Sequence, residues 1–297
     1  MPKEKNTISN AVDWSSNLVL RAIIGTMLLL PYRIRVPAMG WVVRNILAPV
    51  AGYNKRSAEN LEFIYPDMPT ERRRKIVAGV ADNMGRTFIE NYSTKNFIAR
   101  IARTEPVGAG LDAIEKARKS GQPIILVSGH FGNYEAPRAA LVARGYNVGG
   151  LYRAARNKYF NAHYAQTMLA FGGPIFEQGQ RGTSGFVRHL KQGGLLVLLF
   201  DQNVIRGESL PFLGRPAATA TSAAQLALRY NALLIPFYGT RRENGLDFDI
   251  EFEAPIPHSD PKTMTMAMNS SLEARIQKNP GQWFWIHRRW KVGRRKK

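Results

Sequence analysis

Three short apolar runs, each separated from the next by helix-forming sequence, set the strongest limit on how this chain can fold. They read "PIILVS" (123–128), "LLVLLF" (195–200) and "LLIPFYG" (233–239). Runs this short and this apolar suit strands buried on both faces, which occur in parallel sheets covered by helices. After the first run, "NYEAPRAALVARG" predicts a helix closed by Gly145, and an earlier helix near Leu111–Lys119 ends at Ser120–Gly121. "DFDIEFEAPI" alternates polar and apolar residues, as a half-buried or edge strand does. Strands alternating with helices from about residue 105 predict an α/β domain with a largely parallel central sheet flanked by helices. Upstream, a helix capped by Thr70 is expected, with Ile76, Val80, Met84 and Phe88 as an apolar stripe and a strongly basic first turn.

The first fifty residues differ in character. "NLVLRAIIGTMLLLPYRIRVPAMGWVVRNILAPVAGY" is apolar but interrupted by Arg21, Pro31, Arg33, Arg35, Pro37 and Arg44. Its longest apolar stretch, Ala22 to Leu30, is far below the roughly 20 residues of a membrane span. No small-residue cleavage site follows it, so it does not read as a signal peptide. Two short apolar helices are expected here, with arginines near their ends and Trp14, Tyr32, Trp41 and Tyr53 nearby. That pattern predicts a membrane-associated helical segment over residues 1–55, ahead of an α/β domain over 56–297. A tilted single span anchored by Arg21 is a variant of this expectation, and a pair of core helices is the alternative.

Charge narrows the partners. Lys and Arg number 42 against 22 Asp and Glu, a net of +20, so anionic partners are favoured. The cations cluster at Arg72–Lys75 and in the C-terminal "HRRWKVGRRKK", where Arg294–Lys297 also fits a plain solvated end. No helix–turn–helix, zinc-finger or RNP-type pattern accompanies them, so no nucleic-acid partner is expected. The chain has no cysteine, which excludes a disulfide scaffold and a thiolate zinc site. No histidines are paired at metal-ligand spacing, and no metal is expected.

"VSGHFGNYEAPR" (127–138) carries the chemistry. His130 follows the end of the strand "PIILVS", and Glu135 falls in the first turn of the next helix. Ligands in open α/β sheets bind outside the carboxyl ends of the strands. Gly129 and Gly132 permit a tight turn, and Asn133 can cap the helix. On one continuous helix, residues five apart point about 140° away from each other. With the histidine in the loop and the glutamate on the helix, the carboxylate is expected to fold back onto the imidazole and orient it as a general base. No G-x-S-x-G elbow, Walker A loop or G-x-G-x-x-G is present. A base without a protein nucleophile suits activation of a substrate hydroxyl for attack on an acyl carbon. His163 and His189 read as surface residues, His258 as a loop residue, and His287 as structural or interfacial.

The blocks "GHFGNYE", "YR" (152–153), "FDQN" (200–203), "PFLGRPAATATSAAQLAL" (211–228) and "NPGQWFWIHRRWK" (279–291) occur in that order. Together they resemble the lipid A late acyltransferases, the lauroyl/myristoyl transferase family of Gram-negative bacteria, over most of the chain. The resemblance implies a glycerol-phosphate-acyltransferase-like α/β fold at the cytoplasmic face of the inner membrane. It implies transfer of a fatty acyl chain from the thioester of acyl carrier protein to a hydroxyl of a lipid A precursor, without a further cofactor. Carried over, His130 is the base, Glu135 its orienting carboxylate, and Asp201 an acidic residue facing the same cleft. Arg153 and Arg181 become candidates for gripping phosphate or stabilising the oxyanion, and Gln202 and Asn133 candidate substrate contacts. Where the family pattern has an arginine, this chain reads "FGGPIFEQGQ", and Arg153 or Arg156 can take that place. Acylation of another lipid, such as a lysophospholipid or a glycosylated phosphoinositide, and non-catalytic binding of anionic lipid remain open.

Overall fold

The computed structural model describes residues 7–155 and 157–290. Arg156 and the tail from residue 291, including Arg294–Lys297, lie outside the described residues. The chain opens with helices. These are α1 (Thr7–Leu29), α2 (Tyr32–Val42), a π-wound turn at 43–47 leading into α3 (Ala48–Val50), α4 (Tyr53–Ile64), α5 (Thr70–Tyr92), α6 (Thr94–Ile101) and α7 (Gly110–Ser120). Thr70 is the first residue of α5 rather than its cap, since Pro69 precedes it and no side chain closes that end. Ile76 and Val80 of the expected stripe are buried.

Alternating elements follow: β1 (Ile124–Ser128), α8 (Glu135–Ala143), β2 (Val148–Tyr152), α9 (Lys158–Leu169), β3 (Ile175–Glu177), α10 (Gln180–Lys191) and β4 (Leu195–Leu199). A hairpin of β5 (Glu208–Phe212) and β6 (Arg215–Thr219) leads to α11 (Ser222–Tyr230), β7 (Leu233–Arg241), β8 (Phe248–Phe252) and α12 (Pro261–Lys278). The central sheet runs β3-β2-β4-β1-β7-β8, parallel except for the antiparallel edge strand β8. Every residue of β1 is buried. Ile125 and Val127 face one core with Trp283 and Met268, while Ile124 and Leu126 face the other with Phe97 and Phe171. That two-sided burial is what the uninterrupted apolar runs encode.

The N-terminal expectation needs correction. Among the described residues, no helix is long and apolar enough to cross a membrane, so the single-span variant does not hold. The first helix is also longer than expected, at 23 residues. Ile24, Val36, Met39, Val43 and Ala48 are buried against Ala81 and Ile89 of α5. Other apolar residues of the same segment face outward, among them Val12, Trp14, Val19, Leu29 and Trp41.

One buried ion pair ties the helical half to the sheet. Glu90 of α5 is fully buried and takes both outer nitrogens of Arg241 at the end of β7. Arg241 Nε donates to Asn83 Oδ1 at 2.8 Å, and Asn83 Nδ2 donates to the Gly132 carbonyl at 2.9 Å. Thr87 Oγ1 donates to the same carbonyl at 3.1 Å. Removing one partner of such a pair leaves a buried charge uncompensated, at a cost of about 3–5 kcal/mol. Arg241→Met and Glu90→Gln should each lower unfolding stability by about that much, and the double variant should recover part of the loss. Denaturant titration checks this, and a change below about 1 kcal/mol in either single variant would refute it.

Candidate active site

The carboxyl ends of the parallel strands converge on one edge of the sheet. β1 and β4 are neighbours in parallel register, with Ser128 opposite Leu199. The residues that follow them, His130 and Asp201, therefore emerge side by side. Gly129 makes that approach possible, because a Cβ there would lie 2.6 Å from Leu272 and 3.0 Å from Asp201 Oδ2. Gly132 has φ +56°, and a Cβ would sit 1.9 Å from the Gly239 carbonyl oxygen. The turn thus needs glycine at both positions.

His130 is held by Asp201. Its Nδ1 lies 2.7 Å from Asp201 Oδ1, and its backbone N–H donates to Oδ2 at 2.8 Å. Trp283 Nε1 also donates to Oδ2, at 2.9 Å. Burial alone would raise the Asp201 pKa. The adjacent His130 outweighs it, by its charge and its hydrogen bonds, and holds the carboxyl well below its usual range. With Nδ1 engaged by a carboxylate, Nε2 of His130 is left to take a proton from a substrate.

Glu135 is placed elsewhere. Its carboxylate accepts from Arg138 Nη1 at 3.0 Å, and Arg138 reaches on to the Gly172 carbonyl at 2.6 Å. Arg138 leans back along the helix onto the residue three positions before it, the side-chain direction α-helices favour. The expected fold-back of Glu135 onto His130 is not what the structure displays; the imidazole's carboxylate is 71 residues away in sequence.

The remaining candidates separate as well. Asn133 is fully buried, and its side chain is used internally: Nδ2 donates to Glu90 and Oδ1 accepts the Glu135 N–H. It shapes the turn and presents no face to a ligand. Gln202 is exposed, and its carbonyl accepts from Arg289 Nη1 at 3.3 Å. Arg153 follows β2, and Arg181 lies in the first turn of α10 after β3; both are exposed at the same sheet edge, two and three strands from β1. Sequence reasoning missed Trp283 as the third donor to Asp201. It also gave His287 no place at the site, yet the two imidazoles lie 4.6 Å apart, centroid to centroid. Only the "WFWIH" string hinted that this segment had to be buried.

A cavity of about 300 Å³ opens beside His130. Val80, Met84 and Phe88 of α5 and Trp283 and Phe284 of the C-terminal segment give it apolar walls. Asn83 and Thr87 also line it, but their polar ends are spent on Arg241 and the Gly132 carbonyl. Such a space favours an apolar ligand next to a base. Among the described residues, no cluster of His, Asp or Glu could hold a metal ion.

A histidine held by a buried carboxylate at the carboxyl edge of an α/β sheet, beside an apolar cavity, is a candidate acid–base site at the place where α/β sheets bind ligands. Residues 1–292 match the bacterial lipid A biosynthesis acyltransferase family, and the chain belongs to that family of acyltransferases. It is 28% identical to a lipid A biosynthesis lauroyltransferase of Escherichia coli (strain K12) over 244 residues, 78% of this chain and 77% of that protein. It is 25% identical to a lipid A biosynthesis acyltransferase of Haemophilus influenzae over 266 residues, 86% of this chain and 81% of that one. A Shigella flexneri protein, lipid A biosynthesis acyltransferase 2, is 23% identical over 299 residues, 96% and 92% of the two chains.

The site imposes an acid sensitivity. Burial, and then the neighbouring charge of His130, push the His287 pKa down from 6.5 to about 4, against an opposing pull from Asp201. The unfolded chain therefore binds a proton between about pH 6.5 and 4 that the folded chain refuses, so stability falls as pH drops through that window. Asp201 acts in the same direction at lower pH, because its depressed pKa stabilises the fold only while the carboxyl is ionised. Thermal unfolding should move to lower temperature from pH 7 to pH 4, and less steeply in His287→Asn. An equal slope in both proteins would place the sensitivity in other groups.

Proposed function

We propose that this acyltransferase moves a fatty acyl group from an acyl carrier protein thioester to a hydroxyl of a lipid A precursor at the membrane surface. The observation that carries the reading is the His130–Asp201 pair opening on an apolar cavity. His130 Nε2 takes the proton as the acceptor hydroxyl oxygen attacks the thioester carbon. The tetrahedral intermediate then collapses, the carbon–sulfur bond breaks, and the thiolate leaves with the proton from His130. Asp201 positions the ring and stabilises the imidazolium formed in between. Glu135, paired with Arg138, positions the helix instead of the base.

Other features support the partners. Arg153 and Arg181 stand exposed at the same sheet edge, where the phosphates of a glycolipid acceptor would be held. Arg72, Arg74 and Lys75 are exposed on the first turns of α5, a face suited to an acidic carrier protein. Outward-facing Trp14, Val19, Leu29 and Trp41, with exposed Arg21, Arg33 and Arg44 among them, suit helices lying at a lipid interface.

The test is transfer of labelled acyl chains from an acyl carrier thioester to a lipid A precursor by purified enzyme. His130→Ala and Asp201→Asn should each lower kcat by about 10²–10⁴-fold while the fold is retained. Glu135→Gln should cost much less, since its carboxylate pairs with Arg138 and not with the base. Failure of the wild type to acylate this acceptor while acylating a lysophospholipid would overturn the assigned substrate. An active Asp201→Asn beside a dead but folded Glu135→Gln would overturn the assigned carboxylate.

A further inference from the structure

Acyl transfer builds negative charge on the thioester carbonyl oxygen, and that charge needs a hydrogen-bond donor already in place. Backbone amides of the loop carrying the base are the usual source, but here those of residues 130–133 are occupied. The His130 N–H donates to Asp201, Phe131 to the Gly129 carbonyl at 2.8 Å, Gly132 to Gln282 at 2.9 Å and Asn133 to Gly239 at 3.0 Å. On the facing segment, the Phe284 N–H donates to the His130 carbonyl at 3.0 Å, and the amides of Trp285 and His287 are bonded at 2.9 and 3.1 Å.

Some side chains around the base are also engaged. Trp283 Nε1 is held by Asp201. Arg289 is fully buried, with Nη1 on the Ala218 carbonyl, Nη2 on Thr219 Oγ1 and Nε sealed without a partner, and it does not line the cavity. Tyr134 and Tyr164 also line the cavity, with the Tyr134 ring 5.6 Å from that of His130 between centroids. Asn91 lines the cavity too, with its Oδ1 sealed and unpartnered.

Of the rings that stand against His130, that of His287 is nearer than those of Tyr134 and Phe284. The His287 ring lines the cavity and stands edge-on to His130, 4.6 Å between centroids and 74° between planes. Its Nε2 is sealed from solvent without a hydrogen-bond partner, whereas Nδ1 is not among the sealed atoms. The segment is rigid, because the buried Asn60 Nδ2 donates to the carbonyls of Trp285 and His287 at 2.6 and 2.9 Å. Building on the acyl-transfer reading above, we propose that His287 is a catalytic residue whose ring N–H stabilises the oxygen of the tetrahedral intermediate.

The proton belongs on Nδ1. A sealed N–H without a partner is costlier than a sealed bare nitrogen, so this tautomer puts the lone pair in the sealed position and the donor toward the cavity. Burial keeps the ring neutral at physiological pH, so it stays a donor beside an imidazole that must gain charge during the reaction. When the hydroxyl oxygen bonds to the acyl carbon, the carbonyl π pair moves onto oxygen and is met by the His287 N–H. The hydroxyl proton goes to His130 Nε2, and collapse of the intermediate returns the electron pair and expels the thiolate. No co-reactant is required.

Two substitutions separate this role from packing. His287→Leu fills the space without a donor, while His287→Asn keeps an N–H on the atom attached to Cγ, where Nδ1 stood. With carrier-bound donor and lipid A precursor, His287→Leu should lower kcat by about 10²–10³-fold. The donor KM should stay within about threefold, as expected for an interaction made only in the transition state. His287→Asn should keep kcat within about tenfold of wild type, and neither change should lower Tm at pH 7, since the sealed nitrogen has no partner to lose. A His287→Leu enzyme within tenfold of wild type, or a folded His287→Asn enzyme as slow as it, overturns the proposal. Should the leucine variant not fold, ¹⁵N NMR of the wild-type ring decides: Nδ1–H supports the assignment, and Nε2–H overturns it. A wild type with no transfer at all would instead sink the acyl-transfer reading on which this rests.

Discussion

A carboxylate with no exposed surface is tolerable only if its oxygens are met by donors, and the architecture around Asp201 follows from that requirement. Three donors converge on it from two distant parts of the chain: the backbone and ring of His130, and the indole of Trp283. To supply them, β1 and β4 must pair in the observed register, the turn after β1 must carry glycine at 129, and the C-terminal segment must fold back over the sheet edge. The bridge between Phe131 and Trp283 and the hydrogen bond from Phe284 to the His130 carbonyl fix that return. The same contacts leave Nε2 of His130 as the free nitrogen, so satisfying a buried charge and preparing a base are one structural event.

The second buried charge cluster does the complementary job. Arg241 and Glu90 sit between α5 and the end of β7, and through Asn83 and Thr87 they hold the Gly132 carbonyl, two residues from the base. Gln282 closes the frame by exchanging both hydrogen bonds with the backbone of Arg241, at 2.8 Å each. A helix from the first third of the chain, the end of a central strand and a C-terminal turn thus meet at one loop. The apolar cavity is the gap left between these elements, and Asn83, Thr87 and Gln282, which line it, have their polar ends engaged in that network.

Lipid chemistry places two demands on such a protein, an apolar place beside the reacting group and a surface compatible with a lipid interface. The first is met by the stripe of α5, whose fourth-residue spacing sends Ile76 and Val80 into the core and sets Val80, Met84 and Phe88 along the cavity wall. The N-terminal helices divide in the same way. One set of their apolar residues packs on α5, and another faces outward with arginines interspersed. Among the described residues of this apolar segment no helix is able to cross a bilayer, and the outward face instead suits a lipid interface.

Period and turn chemistry made much of the fold legible before any coordinates. The runs at 124–128, 195–199 and 233–239 are strands because nothing but a sheet buried on both faces would use them, and β8 alternates because it is an edge. β2 escaped notice, since Gly149 and Gly150 interrupt its apolar character. The β5–β6 hairpin did too, since Pro211 and Pro216 disguise it and its turn relies on Leu213 and Gly214 at positive φ. At the site, the sequence alone named His130, its loop and its position at a strand end. It paired the histidine with Glu135 by expecting a carboxylate in the first helical turn to fold back onto the loop, but that carboxylate pairs with Arg138. Which carboxylate reaches the imidazole was decided by β1 lying beside β4, and which second imidazole stands next to it by the C-terminal fold-back. Local sequence sets side-chain periodicity and turn propensity within about a helical turn or a strand's length; contacts across 70 or more residues exist only once strand order and register are chosen, and those are set by burial of the whole sheet.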